Sequence, residues 1–248
     1  MITLNSDAAS TSLSKTTKAI LNEYGIKLNK NLGQNYLIDR NKRDQIIQFG
    51  NLTKDDVVLE IGPGIGTLTI ELAKRVKKVI AIEQDSNICQ ILENRLKKEN
   101  IDNVELINDD ALNVEFPKFD KIISNLPYQI SSPITFKFLN YDFQLAILMY
   151  QKEFTSRMNG KVGSKDYSRL SAMLYFKCDV DLLTGVSAES FIPKPKVDST
   201  VVRLTPKLPE LNGQLKHLNI NEINEKDFKT YSKFVKALFQ HRNKKVKN

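Results

Sequence analysis

Asn125-Leu126-Pro127-Tyr128 is the stretch of the chain whose residue types and order carry the most specific chemistry. An amide side chain, a backbone carbonyl ahead of a proline and an aromatic ring make a compact device for holding a planar nitrogen. The Asn125 oxygen and the Leu126 carbonyl can each accept one N–H, while the Tyr128 ring stacks on the attached π-system. The exocyclic amine of adenine, N6, fits that device. Taken alone, the four residues are equally well explained as a proline turn, because Asn and Pro are ordinary loop residues. The preceding apolar run, Phe119 to Ser124, predicts a buried parallel strand. The tetrapeptide then lies on the loop at that strand's carboxyl end, where open α/β sheets bind ligands.

Three other strand ends supply compatible chemistry. Val57 to Ile61 predicts a strand, and Gly62-Pro63-Gly64-Ile65-Gly66 turns it into a helix over Leu68 to Arg75. Glycines let the backbone approach a ligand closely, and the helix amino terminus favours electron-rich groups. The spacing E-x-G-x-G-x-G differs from the dinucleotide pattern G-x-G-x-x-G, which suits a ligand without a pyrophosphate. The next strand, Val79 to Ile82, ends in Glu83, placed where an acidic residue accepts both ribose hydroxyls. A solvated strand-end carboxylate is the ordinary alternative, and the glycine loop beside it weakens that alternative. The third strand, Val104 to Ile107, leads to Asn108-Asp109-Asp110-Ala111-Leu112. Asp110 is preferred over Asp109 as acceptor for an exocyclic amine because it directly precedes the apolar Ala-Leu pair.

The elements that must position these residues alternate strand and helix, which predicts a doubly wound, mostly parallel sheet. An amphipathic helix is expected over Ile88 to Lys98, another from Ser131-Ser132-Pro133, and a fifth strand over Leu145 to Tyr150. Residues 1–30 are polar and Ser/Thr/Lys-rich, with a short helix around Lys15 to Tyr24, and are expected to form a mobile basic arm. Gln34 and Asn35, in the loop that follows, either line a pocket or cap the next helix. After Gln151 come a Gly/Lys/Ser loop at Gly160 to Arg169, an apolar element at Leu170 to Phe176 and a closing strand at Thr200 to Leu204. The loop Phe191 to Ser199 is basic and rigid, with prolines flanking Lys194 and Phe191 expected at its mouth. A last helix is expected over Phe228 to Phe239, followed by a basic tail from His241 to Lys247.

The 248 residues suffice for one large α/β domain with a small appendage. A formal net charge of +8 points to a polyanionic partner, chiefly nucleic acid or anionic lipid. No apolar run is long enough to span a bilayer and the first 14 residues lack a signal core, so a cytoplasmic protein is expected. Cys89 and Cys178 form no CxxC pair, and the two histidines, His217 and His241, lie near the chain end. Neither a metal centre nor a histidine triad is expected.

NLGQNYLID, EIGPGIGTLT, Glu83, DDAL, NLPYQISSP, QKEF, YSRLS and FIPKPKVDSTVVRL occur in one order. In that order they resemble the ribosomal RNA adenine N6-dimethyltransferase family, small-subunit (KsgA-like) type, and are most similar to archaeal members. The resemblance runs from about Asn31 to Lys245. It implies a Rossmann-like class I S-adenosylmethionine-dependent methyltransferase fold, with a seven-stranded, mostly parallel sheet over residues 31–206. A small helical RNA-binding part, expected to be incomplete, would follow over residues 207–248. Family members normally continue past FQHRNK, and the extended polar amino terminus has no counterpart among them. By position, the cofactor S-adenosyl-L-methionine is expected on Asn35, Leu37, Gly62, Glu83, Asp110 and Asn125. The target adenosine is expected on Asn125, Leu126, Pro127 and Tyr128, with Phe191 packing against the base and Lys194 and Lys196 on RNA phosphates.

The activity so implied is methyl transfer to N6 of two adjacent adenosines near the 3′ end of small-subunit rRNA. The substrate is expected within a pre-ribosomal particle and the protein as a monomer. The N6 lone pair is delocalised into the ring, so a free base is a poor nucleophile. Hydrogen bonds from N6 to Asn125 and Leu126 would pyramidalise the nitrogen without a side-chain base, and positioning supplies the rate. A paired base cannot enter, so the target must be single-stranded or flipped. Large-subunit, erythromycin-resistance type methylases share the sheet and loop, but they typically carry Ile where Leu126 stands and lack SSP. DNA adenine and protein glutamine methyltransferases are disfavoured by FIPKPKVDS. A non-catalytic ribosome-assembly protein on the same fold is disfavoured by intact Glu83, Asp110 and Asn125.

Overall fold

The computed structural model describes residues 12–26, 35–207 and 225–240. Gln34, both histidines and the basic tail from His241 lie outside these residues. The strands are β1 (Tyr36–Leu37), β2 (Val57–Ile61), β3 (Lys78–Glu83), β4 (Val104–Asn108), β5 (Lys121–Asn125), β6 (Leu145–Gln151), β7 (Cys178–Val186), β8 (Phe191–Ile192) and β9 (Ser199–Pro206). The helices are α1 (Leu13–Glu23), α2 (Arg40–Phe49), α3 (Thr69–Ala73), α4 (Ser86–Lys98), α5 (Ser131–Phe138), α6 (Lys152–Met158), α7 (Arg169–Lys177) and α8 (Glu225–Gln240).

Seven strands form one sheet in the order β4-β3-β2-β5-β6-β9-β7, and β1 and β8 make a separate two-stranded ladder. Only β9 runs against its neighbours, pairing antiparallel with both β6 and β7. The order reverses between β2 and β5, which pair in parallel with Val58 opposite Lys121, so the carboxyl ends of β2 and β5 flank a topological switch point. The central strands are apolar on both faces because helices cover both. Leu59, Ile61, Ile122 and Leu148 join one core with Phe138, while Val58, Val79, Ile123 and Ile147 join another with Ile46, Ile47 and Leu72. Two side-chain acceptors lock β2 to β5. Asp120 accepts from the Val57 N–H at 2.8 Å and the buried Ser124 hydroxyl accepts from the Ile61 N–H at 2.9 Å.

Two expectations change here. Residues 12–26 of the expected arm pack on the domain: Ser12 caps α1, and Ile20 and Leu21 are buried against Tyr36, Ile65, Ile88 and Ile91. Lys15 to Tyr24 carries apolar residues at only a few positions, but those few meet a preformed apolar surface, and tertiary packing stabilises a short helix that propensity alone would leave marginal. The other change is β7, an edge strand absent from the sequence-based series. Its DVDLLT core alternates poorly and is only half-buried or exposed, and a bulge between Leu182 and Thr184 interrupts its pairing with β9. At the other end of the chain, α8 docks on α7 through an aromatic stack, with Phe176 and Tyr231 ring centroids 4.5 Å apart. The Tyr231 hydroxyl donates to the Ala172 carbonyl at 3.1 Å. Among the described residues no helix is long and apolar enough to cross a membrane.

Candidate active site

The loops after β2, β3, β4 and β5 converge on one cleft lined by Asn35, Leu37, Gly62, Glu83, Asp110 and the Asn125–Tyr128 loop. Its floor is the glycine turn. Gly62, Gly64 and Gly66 hold φ of +67°, +55° and +87°, a region costly for residues with a Cβ. Space matters as much as conformation. A Cβ on Gly64 would lie 3.0 Å from the Tyr36 ring, and one on Gly62 would lie 3.0 Å from the Pro127 ring. The glycine turn therefore meets the Asn125 loop at Gly62 and β1 at Gly64, both positions that lack a side chain.

Glu83 closes the next side. One carboxylate oxygen accepts from the Gly64 N–H at 3.2 Å and the other from the Asp85 N–H at 3.1 Å. Burial raises the Glu83 pKa above the usual carboxylate value, while these backbone donors pull it back. Asp110 accepts from the Leu112 N–H at 2.9 Å and from the Asn113 side chain at 3.0 Å, which fixes its orientation and leaves carboxylate lone pairs for a ligand. Asp110 is half-buried and Asp109 exposed, and both line the cleft.

At Asn125 the amide orientation is set by its partner. Its Nδ2 donates to the Asn35 carbonyl at 3.1 Å, and only the NH₂ side of an amide can face a carbonyl. The Asn125 oxygen is thus left as the acceptor. The Leu126 side chain is buried in the core, which holds the backbone of the loop, and no described group donates to its carbonyl. Tyr128 is half-buried beside them, its hydroxyl 2.7 Å from the Ser199 hydroxyl. Burial raises the Tyr128 pKa, so the phenol stays protonated.

Of the residues expected on the RNA, Phe191, Lys194 and Lys196 lie outside this cleft. Phe191 does not stand at the mouth of the cleft. It is 2% exposed, paired to Leu37 in the β1–β8 ladder and packed with Met149 and Val201. Burying a Phe contributes about 1.5–3 kcal/mol, and the Ile38 N–H bond to the Ser190 carbonyl at 2.8 Å holds the ladder shut. Lys194 and Lys196 border a separate shallow groove with Lys152, Glu153 and Glu189, and the Lys194 ammonium is paired with Glu189.

Glu60, the first residue of E-x-G-x-G-x-G, is a lining residue to which the sequence pattern assigned no role. It is 2% exposed, its Oε2 has no hydrogen-bond partner among the described residues, and burial pushes its carboxyl up to about 8. A charged residue inside the apolar run Val57–Ile61 is the signal that marked it. Around it the cleft is lined by the carboxyls of Glu83, Asp85, Asp109 and Asp110 and, among the described residues, by no lysine or arginine, in a chain of net charge +8. An acidic cleft in a basic protein suits a small cationic ligand inside and a polyanion outside.

The sheet order, the glycine turn after β2 and the acidic end of β3 define a class I methyltransferase. The chain belongs, more narrowly, to a family described as ribosomal RNA adenine dimethylase, whose profile matches residues 25–248. A probable ribosomal RNA small subunit methyltransferase A of Methanosphaera stadtmanae is 50% identical over 231 residues, covering 93% of this chain and 80% of the relative. One from Methanothermobacter thermautotrophicus is 47% identical, covering 93% and 77%. Among solved structures, a dimethyladenosine transferase from Plasmodium falciparum superposes with a TM-score of 0.72 at 36% identity, covering 85% of this chain and 72% of its own. The 23S rRNA methyltransferase ErmE superposes at 0.67 and 29% identity, covering 84% and 80%.

Proposed function

We propose that the chain is a small-subunit rRNA adenine N6-dimethyltransferase that uses S-adenosyl-L-methionine. The observation that carries this reading is the Asn125 amide. Its N–H is committed to the Asn35 carbonyl, so its oxygen and the Leu126 carbonyl are two acceptors at the end of an acidic cleft. Relatives named for small-subunit rRNA methylation support the choice of RNA. The reading takes the substrate within a pre-ribosomal particle and the protein as a cytoplasmic monomer.

The cleft fits the cofactor by charge and shape. Glu83 would hold the ribose hydroxyls, Asp110 the adenine amine, Gly62 and Gly64 the close backbone approach, and Asn35, Leu37 and Asn125 the remaining wall. The bound cofactor supplies an electrophilic methyl group on a cationic sulfur. Everything else falls to the chain. Asn125 and Leu126 accept the two N6–H bonds of the target adenine and turn its lone pair toward the methyl. Tyr128 stacks on the base and compensates for the stacking lost when the nucleotide leaves its helix. Such positioning can lower the barrier by about 7–11 kcal/mol at the upper end. Once the fourth bond to nitrogen forms, the N6 proton is strongly acidic and passes to solvent through the same acceptors.

The test is mass mapping of small-subunit RNA, naked and in pre-ribosomal particles, after incubation with the protein and labelled methyl donor. N6,N6-dimethyladenosine at two adjacent positions near the 3′ end is expected. Label confined to large-subunit RNA would overturn the reading.

A further inference from the structure

Resting on that reading, we propose that Ser199 is a positioning residue for methyl transfer, acting through Tyr128 by fixing the plane of the ring on which the target base stacks. Tyr128 belongs to a loop turn, Tyr128–Ile130, whose three residues are half-buried or exposed. Its ring can swing about its side-chain torsions unless something holds the far end. Ser199 supplies a fixed point. It is 1% exposed and opens β9, where its backbone is in register with Gln151 on one side and Val186 on the other. The two hydroxyls are 2.7 Å apart, a well-formed O–H···O hydrogen bond that joins a loop residue to the sheet across 71 positions of sequence.

The bond matters most for the second methyl. An unmodified N6 has two hydrogens, one for the Asn125 oxygen and one for the Leu126 carbonyl. After one transfer a single N–H remains, so the two acceptors can no longer both be used. Orientation of the monomethylated base then depends more heavily on the stacked ring. Loss of the Ser199 contact should therefore slow both transfers and slow the second one more.

The experiment compares wild type, Ser199→Ala, Tyr128→Phe and the double variant in single-turnover methyl transfer to small-subunit RNA, with RNA and cofactor affinities measured separately. Each single variant removes the same hydrogen bond and should lower the first-transfer rate about 3- to 10-fold. Both should raise the ratio of mono- to dimethyladenosine and leave both affinities unchanged. The double variant should be no slower than either single one, because the bond can be lost only once. If Ser199→Ala fails to fold, Tyr128→Phe breaks the bond from its half-buried side and carries the test. Additive effects, an unchanged product ratio or a loss of affinity in place of rate would overturn the proposal. A wild type that methylates no adenosine removes the functional reading itself, which the same control shows.

Discussion

Replacing Asn125 by Ala tests the centre of the site. The side chain does two separable things. Its Nδ2 bond to the Asn35 carbonyl, 3.1 Å long, ties the loop after β5 to the segment before β1. Losing that bond costs about 0.5–1.5 kcal/mol of stability, too little to unfold a domain with so large a buried sheet. Its oxygen, by contrast, is an acceptor whose value rises as N6 becomes cationic in the transition state. Removing one preorganised hydrogen-bonding group of that kind lowers turnover by about 10²–10³-fold. RNA affinity should scarcely move, because contacts to phosphate are spread over a wide basic surface, and an interaction realised in the transition state appears in rate more than in binding. The assay is single-turnover transfer from labelled S-adenosyl-L-methionine at saturating protein, with RNA binding followed by filter retention and folding by thermal melting. Asn125→Asp sharpens the test. A carboxylate keeps acceptor oxygens but cannot donate to the Asn35 carbonyl, so it should be repelled from its place and also turn over slowly. A folded Asn125→Ala protein that forms dimethyladenosine at a near-normal rate would refute the reasoning and leave the loop as a mere turn.

Glu83→Ala should weaken cofactor binding about 10- to 100-fold by calorimetry, since charge-assisted acceptors for the ribose and the pin on the Gly64 N–H are lost together; unchanged affinity would remove Glu83 from the site. Gly64→Ala should cost about 1–2 kcal/mol in urea unfolding, because a Cβ at φ +55° is strained and meets the Tyr36 ring; a wild-type midpoint would contradict that packing. The raised pKa of Glu60 has a definite sign: the unfolded chain releases this proton from about pH 4.5 while the native state holds it to about 8, so its contribution is fully present below pH 4.5 and is lost as pH rises through that window. Glu60→Gln should flatten the fall in stability between pH 5.5 and 7.5 by up to about 1.4 kcal/mol per pH unit, and identical slopes would count against a neutral Glu60. RNA affinity should drop steeply with salt, each neutralised phosphate adding about −0.7 to −0.9 to the log–log slope, and a flat response would make the basic surface a solvated face only.

The site residues legible in the sequence are those whose signal is local. A glycine turn, a carboxylate ending a strand and Asn-Leu-Pro-Tyr after an apolar run each declare themselves within a few residues, and parallel topology brings such strand ends to one edge whatever the loops between them do. That is why Gly62, Glu83, Asp110 and Asn125 meet as expected. What depended on long-range pairing was not legible. Phe191 looked like the head of a surface loop, yet a two-residue ladder with Tyr36–Leu37 turns it inward, because a bulky aromatic gains more from an apolar pocket than from the mouth of a cleft. The amino-terminal segment looked solvated until β1, α4 and the glycine turn presented a surface for Ile20 and Leu21. β7 is polar enough to pass for a loop, and only the unpaired edge of β9 makes it a strand. The hydroxyl pair of Tyr128 and Ser199 joins residues from different ends of the domain, and no local pattern encodes a bond whose two halves meet only after the sheet has closed.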